Sequence, residues 1–364
     1  KNVGSRLPII QGTSFAFIPI MLPFKAFGLG AIFTAAFIGG IFQIWIGKML
    51  KPIRHMFPPL VTGVVVLMIG FSLLKVGFKY AGGGVWLMNN KPEIFANWHH
   101  LSIAGTVLIV ALLANIRGKG MVSSASILIG IIAGFIVAAM LGEIRWAKIA
   151  AADWFAFPMP LQYGIDFVWG AVILMLFMSI VTTIETIGDI SATTMGGANR
   201  EATDKELSGG IMADGVGTAF ASIFNAMPNT SYSQNAGLVA FTGVISRHVG
   251  TVAGVILILL GLFPKLGGVI AAMPDSVIGG AAIIMFGLIA GAGIKLISKS
   301  EMSQRNVLIL ALSLSFGIGL YAFPEFVAHV PDLGIKLGLL LTTGLIPAGL
   351  LAFILNATLP KSKK

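Results

Sequence analysis

Twelve apolar stretches, each long enough to cross roughly 30 Å of hydrocarbon once tilt and breaks are allowed for, follow one another along this chain. They run near 7–26, 27–49, 58–80, 101–116, 121–142, 167–190, 209–225, 227–245, 249–264, 276–297, 306–323 and 335–357. Such a pattern leaves few folds open, because in lipid every backbone N–H and C=O must find an internal partner. Spans must therefore be helical, and a break in one is tolerable only where it lines a cavity or is buried in protein. Composition agrees: 56% of residues are hydrophobic and 10% charged, where a globular surface needs about a quarter. The reading is an all-α polytopic membrane protein. Its net charge of +10 sits in short loops between spans, without interleaved aromatics, so it reads as an orientation signal rather than a nucleic-acid surface. The absence of cysteine excludes disulfides, thiolate metal sites and cysteine nucleophiles.

Two stretches depart from the plain apolar type. The run from Asn229 to Thr242, Asn-Thr-Ser-Tyr-Ser-Gln-Asn-Ala-Gly-Leu-Val-Ala-Phe-Thr, is rich in hydroxyls and amides yet lies between apolar segments. Its mixture of donors and acceptors suits a planar, neutral or weakly acidic solute with ring nitrogens and carbonyls better than a bare ion. The first stretch carries Gln11-Gly12-Thr13-Ser14-Phe15, and Pro19 and Pro23 make a continuous helix there unfavourable.

These two breaks belong to a repeat. Thr13-Ser14-Phe15 aligns with Thr230-Ser231-Tyr232, Pro58 with Pro274, Val61 with Val277, Gly63 with Gly279, and Met68-Ile69-Gly70 with Met285-Phe286-Gly287, all at an offset of 216 or 217. The first and eighth stretches are seven crossings apart, an odd number, so the two copies run in opposite senses through the membrane. Inverted repeats of this kind belong to secondary transporters whose site lies at the midplane between broken helices. In the second copy two spans, 167–190 and 209–225, precede the Thr-Ser-aromatic segment, whereas only Lys1 to Leu7 precede it in the first. The repeat therefore predicts a seven-plus-seven plan of which the first two spans are absent from this chain. Sixteen of the 24 Lys and Arg fall on one side, that of Lys1, Lys48, Arg117, Arg200, Arg247, Arg305 and Lys364, and eight on the other. This bias places the C-terminus and the loop around 191–208 in the cytoplasm, with 81–100 and 143–163 outside.

Three carboxylates stand at membrane depth, where ionisable groups are costly and point to a substrate or proton path. Glu185 and Asp189 share one helical face with Thr182 and Thr186, and Asp214 lies in the next span. Such groups make proton coupling available without a metal. The bland alternative is that Asp189 and Asp214 only cap or brace the hydroxyl-rich segment. Gln234 and Asn235 offer primary amides that can form two-point hydrogen bonds with an N–H/C=O edge, or can instead satisfy freed backbone at the helix break. Phe15 and Tyr232 occupy matching places in the two copies; either ring could stack on a flat solute, and packing is the favoured role for Tyr232. All five histidines fall in loops or at span ends, which disfavours a histidine-based catalytic or metal centre.

Three of these motifs together resemble the nucleobase–ascorbate transporter family. Gln234-Asn235-Ala236-Gly237, four residues, then Thr242-Gly243 resembles its signature; Glu185-Thr186-Ile187-Gly188-Asp189 resembles its eighth-span motif, and Gln11-Gly12-Thr13-Ser14-Phe15 its third-span motif. The resemblance covers essentially the whole chain. It implies fourteen spans arranged as core and gate domains, here 1–50 and 163–266 for the core and 51–162 and 267–364 for the gate, and a homodimer paired through the gate. It further implies proton- or sodium-coupled uptake by an elevator-like movement, in a bacterial inner membrane, with no organic cofactor and membrane lipid as surroundings. Carried over by motif, Glu185 and Gln234 hold a base through side chains, while Phe15 and Ser233 contribute backbone contacts and Phe15 also stacks. Ser14 adjoins that contact, and Asp189, Asp214 and Asn235 support affinity and coupling. Uracil-type relatives carry Glu in place of Gln234, so the chain is similar to the xanthine and uric acid branch. Alternatives are a uracil or broad-range nucleobase symporter and an anion carrier of the same architecture, whose site should avoid a carboxylate such as Glu185.

Overall fold

A computed structural model describes residues 3–49, 58–329, 338 and 341–360, without the side chains of Pro23, Lys25, Ala26, Ser233, Gln234, Ala240, Phe241 and Ala328. The first half opens with strand β1 (Gln11–Thr13) and a series of short helical turns over residues 15–27. Helices α1 (Leu29–Lys48), α2 (Pro59–Ala81), α3 (Trp98–Arg117), α4 (Ser126–Met140) and α5 (Trp146–Ala151) follow. The second half comprises α6 (Trp169–Ala198), α7 (Asp204–Ile223), strand β2 (Asn229–Ser231), α8 (Ser233–Thr242), α9 (Arg247–Gly261), α10 (Pro264–Ala272), α11 (Asp275–Ile297), α12 (Gln304–Ala322) and α13 (Leu345–Thr358).

The twelve predicted stretches thus coincide with helices or with strand–helix breaks, although the beginning of 335–357 lies outside the described residues. Among the described residues, six helices are long and apolar enough to cross a membrane singly: α1, α2, α3, α6, α11 and α12. The others differ for physical reasons. Pro264 opens α10 and turns it by 77° from α9, so the predicted stretch 249–264 ends in a bend rather than running straight. Helix α7 has the length of a span but carries Asp204, Lys205, Glu206 and Asp214, and its side chains from Leu207 to Ser222 are largely buried in protein rather than turned to lipid. The two predicted breaks are real: each copy of the repeat contains one three-residue strand, and both helix interruptions fall where polar residues and prolines interrupt the apolar pattern.

The chain divides into two compact units. One comprises Lys1–Ser72, Met159–Arg247 and Ile289–Lys364. In it α1 packs along α7 and α6, and α6 along α8. Small residues let the backbones touch: a Cβ on Gly40 would lie 2.7 Å from the carbonyl oxygen of Gly215, and one on Gly215 would lie 2.6 Å from that of Gly40. Without a hydrophobic force between helices in lipid, such close van der Waals approach is a main source of helix association. Leu7, Ile190 of α6 and Leu207 and Ile211 of α7 form a buried cluster. The other unit comprises Leu73–Pro158 and His248–Leu288. Its core is Ile103, Val107, Ala138, Ile144, Ala272, Val277 and Ala281.

Candidate functional site

The site grows from the pairing of the two broken spans. Strands β1 and β2 run antiparallel, with Gln11 opposite Ser231, Gly12 opposite Thr230 and Thr13 opposite Asn229. The Thr-Ser-aromatic segments that align in sequence at an offset of 217 therefore meet side by side in space, in the opposed directions that an inverted repeat demands. Backbone pairing continues past the strands, from Tyr232 N–H to the carbonyl of Ile10 at 3.0 Å and from Ser14 N–H to that of Pro228 at 3.2 Å. Every such bond satisfies a group that lipid would leave unpaired.

Beyond the strands the chain turns helical at both ends. Ser14 caps the first short turn, its hydroxyl oxygen accepting from Ala16 N–H at 3.1 Å, and Phe15 follows with 40% of its surface exposed. Ser233 and Gln234 open α8, whose N-cap Tyr232 supplies no side-chain cap; Asn235 N–H bonds the Tyr232 carbonyl at 3.0 Å, and the Ser233 and Gln234 amides precede it at the positive end of the helix dipole. The side chains of Ser233 and Gln234 lie outside the described residues. Asn235 does not stand in the same position as its neighbours: its amide Nδ2 donates to the carbonyl of Pro8, which ties α8 to the segment entering β1.

Helix α6 supplies the acidic face. Glu185 is half-buried and makes no hydrogen bond among the described residues, while Asp189, one turn on, is buried. Asp214 of α7 is 0% exposed, and its Oδ2 accepts from the Thr186 hydroxyl on α6 and from the Ser231 hydroxyl on β2, the latter at 3.3 Å. Its other oxygen, Oδ1, is buried and receives no hydrogen bond among the described residues. One carboxyl group thus joins three elements, and does so beside the strand pair. A further tie runs from Thr218 of α7, which exchanges hydrogen bonds with the backbone of Asn229 at 3.0 and 3.3 Å.

Of the predicted residues, Phe15, Ser14, Ser233, Asn235 and Asp214 are brought together on or against the strand pair, and Glu185 and Asp189 lie on the helix that packs along α8. Sequence reasoning missed Gln43, which is buried in α1 and donates from Nε2 to the Thr182 hydroxyl at 3.4 Å, one turn from Glu185. A single amide in an otherwise apolar, glycine-rich span was the available signal. Ser179, whose hydroxyl donates to the carbonyls of Gly39 and Met175, extends the same polar seam between α1 and α6. Among the described residues no three His, Cys, Asp or Glu side chains converge as metal ligands.

Residues 1–326 match a family model described as a permease family and labelled Xan_ur_permease. A Clostridium perfringens protein named as a purine permease is 38% identical over 99% of this chain and 78% of its own length. The xanthine permease XanP of Escherichia coli is 34% identical, covering 100% of this chain and 80% of that protein, and the uric acid permease PucJ of Bacillus subtilis is 33% identical over 97% and 79%. Among solved structures, the transmembrane domain of the cyanobacterial bicarbonate transporter BicA superposes with a TM-score of 0.58 at 17% identity, covering 97% of this chain and 85% of the other. SLC26A9 superposes with a TM-score of 0.61 at 16% identity over 86% and 55%. At such identities the likeness is one of fold, the inverted-repeat transporter architecture.

Proposed function

The chain belongs to the permease family of nucleobase–ascorbate transporters, a multi-pass membrane transporter and not an enzyme, and on that premise we propose that it imports xanthine and/or uric acid by proton symport. The observation that carries this reading is the joining of the two repeat copies at β1 and β2, beside the Glu185 helix and at the start of the helix bearing Gln234. Glu185 and Gln234 take the polar edge of the base through their side chains. Phe15 stacks on its face, and the backbone at Phe15 and Ser233, with Ser14 adjoining, supplies further contacts. Asp189, Asp214 and Asn235 support affinity and coupling.

Proton coupling follows from the cost of charge in lipid. Moving a site that holds ionised carboxylates through the bilayer centre is expensive, and binding a proton together with the base removes one of those charges before the crossing. The crossing itself is an elevator-like step in which core segments 1–50 and 163–266 move against gate segments 51–162 and 267–364. The gate also serves as the contact between two copies. The membrane is the bacterial inner membrane, and the C-terminus is cytoplasmic.

Uptake of labelled xanthine and urate into cells tests the reading. Flux should collapse on addition of a protonophore, and Glu185→Gln should abolish it, while Gln234→Glu should shift preference away from these purines. Fluxes that ignore the protonophore and survive both substitutions would refute the mechanism. Inhibition by bicarbonate or sulfate instead of purines would indicate an anion carrier on the same fold. Uracil outcompeting xanthine would move the chain to the broader nucleobase group.

A further inference from the structure

We propose that Tyr232 is a positioning residue: its side chain latches the two broken spans together across Gly12 and so fixes the point from which Phe15 is presented. Three observations converge. The Tyr232 hydroxyl donates to the carbonyl of Thr13 at 3.2 Å, reaching from the end of one strand to the end of the other. Its ring lies so close over Gly12 that a Cβ added there would fall 2.8 Å from Cζ, a separation real Cβ atoms essentially never show, and 3.1 Å from Cε2, tighter than nine in ten real contacts. The strand register places Thr230 opposite Gly12, and Tyr232 follows two residues later on the same face, which is the diagonal from which an aromatic ring covers a strand glycine.

The position of the bond gives it consequence. Two strands of three residues form a pair that is marginal on its own, and Thr13 is the last residue of β1 before the chain turns through Ser14 into Phe15. In the span reading of 7–26 its carbonyl falls within a broken span, where an unpaired acceptor is costly, and the partner comes from the opposite repeat. Glycine at position 12 leaves room for the ring in this placement, and a Cβ there would push the ring off the strand. Residue 12 and residue 232 therefore act as one device, written 220 residues apart.

The latch is a statement about the strand pair alone, whereas its effect on purine binding rests on the function proposed above. The experiment separates the two. Because the native chain has no cysteine, Thr13→Cys introduces the only thiol, at an exposed position, and its maleimide labelling rate reports the strand junction without any purine. Adding Tyr232→Phe, which keeps the ring and deletes the hydroxyl, should raise that rate about fivefold, the factor that one modest hydrogen bond is worth. In transport assays Tyr232→Phe alone should raise the KM for xanthine by a similar factor of about five, with the maximal rate within about twofold of the native protein. Gly12→Ala should lower folded protein and uptake sharply, and the double substitution Gly12→Ala with Tyr232→Ala should recover folded protein, because the ring that the new methyl meets is gone. Unchanged labelling in Tyr232→Phe, or Gly12→Ala that is equally damaging whether Tyr232 is present or not, would overturn the latch. A changed labelling rate in a protein that neither binds nor transports any purine would leave the latch standing and refute the substrate reading instead. Equal losses of maximal rate and protein level, with KM unmoved, would overturn the positioning role.

Discussion

At the scale of single residues, Asp214 concentrates the argument. A fully buried carboxyl group is tolerable only if it is hydrogen-bonded, and here both donors, the Thr186 and Ser231 hydroxyls, act on one oxygen while the other has no partner among the described residues. Removing one donor should therefore cost more than an average hydrogen bond. Thr186→Val is expected to lower stability by about 1–3 kcal/mol, read as a lower unfolding temperature of the detergent-purified protein. Asp214→Asn keeps the shape and can still accept from both hydroxyls through its amide oxygen. If Asp214 serves coupling as proposed, the Asn protein should fold, bind xanthine and fail to accumulate it under a proton gradient. Accumulation at the native level would reduce Asp214 to a brace. The amide of Asn235, tied to the carbonyl of Pro8, has the geometry of such a brace already.

At the scale of elements, the start of α7 shows how a turn near the membrane is held. Thr203 and Glu206 form a reciprocal capping box, and Arg200 grips the same carboxylate through both terminal nitrogens at 2.5 and 2.9 Å. The Arg200 hydrogen bonds, with help from Thr203, hold the Glu206 carboxyl well below the usual range, at about 2. Because the folded value lies below that of the unfolded chain, the stabilisation is complete above the ordinary carboxylate range and is lost as pH falls through the folded value. Glu206→Gln should thus weaken the first turn of α7 by about 1 kcal/mol at neutral pH, seen as faster amide hydrogen exchange there, and the native and variant proteins should converge towards pH 2. How legible such elements were in the sequence depends on the distance over which they are determined. The strand breaks could be read because Thr13-Ser14 and Asn229-Thr230-Ser231 are locally polar amid apolar neighbours; the capping box went unread although its spacing is only three residues. The bend at Pro264 has a local signal too, and the predicted stretch 249–264 stops at it, but the short helix Pro264–Ala272 beyond it was not anticipated. The bonds of Thr186 to Asp214 and of Asn235 to Pro8 span 28 and 227 residues, and no local pattern encodes which hydroxyl reaches which carboxylate or which amide reaches which carbonyl. Glycines behave likewise: Gly40 and Gly215 read only as small, and their mutual contact emerges when α1 and α7 cross.

At the scale of the whole molecule, the inverted repeat makes orientation a sharp question, because a fold built from two opposed copies gives little shape-based reason to prefer either sense in the bilayer. What breaks the symmetry is charge in the connections. Sixteen Lys and Arg against eight favour one face, and it is the face that carries the Asn199–Thr203 turn between α6 and α7. That turn is a good place to ask, since Glu201 is exposed, and Asp153, exposed in the connection after α5, is its counterpart on the opposite face of the proposed topology. The cysteine-free background again makes single thiols unambiguous. In intact cells a membrane-impermeant maleimide should label Asp153→Cys and spare Glu201→Cys, and inside-out vesicles should give the reverse. The result decides which end of the site meets the external purine, since the direction of the proton gradient is set by the membrane and not by the orientation of the chain. Labelling of Glu201→Cys from outside would invert the topology and show that the charge bias of the sequence does not set the orientation of this chain.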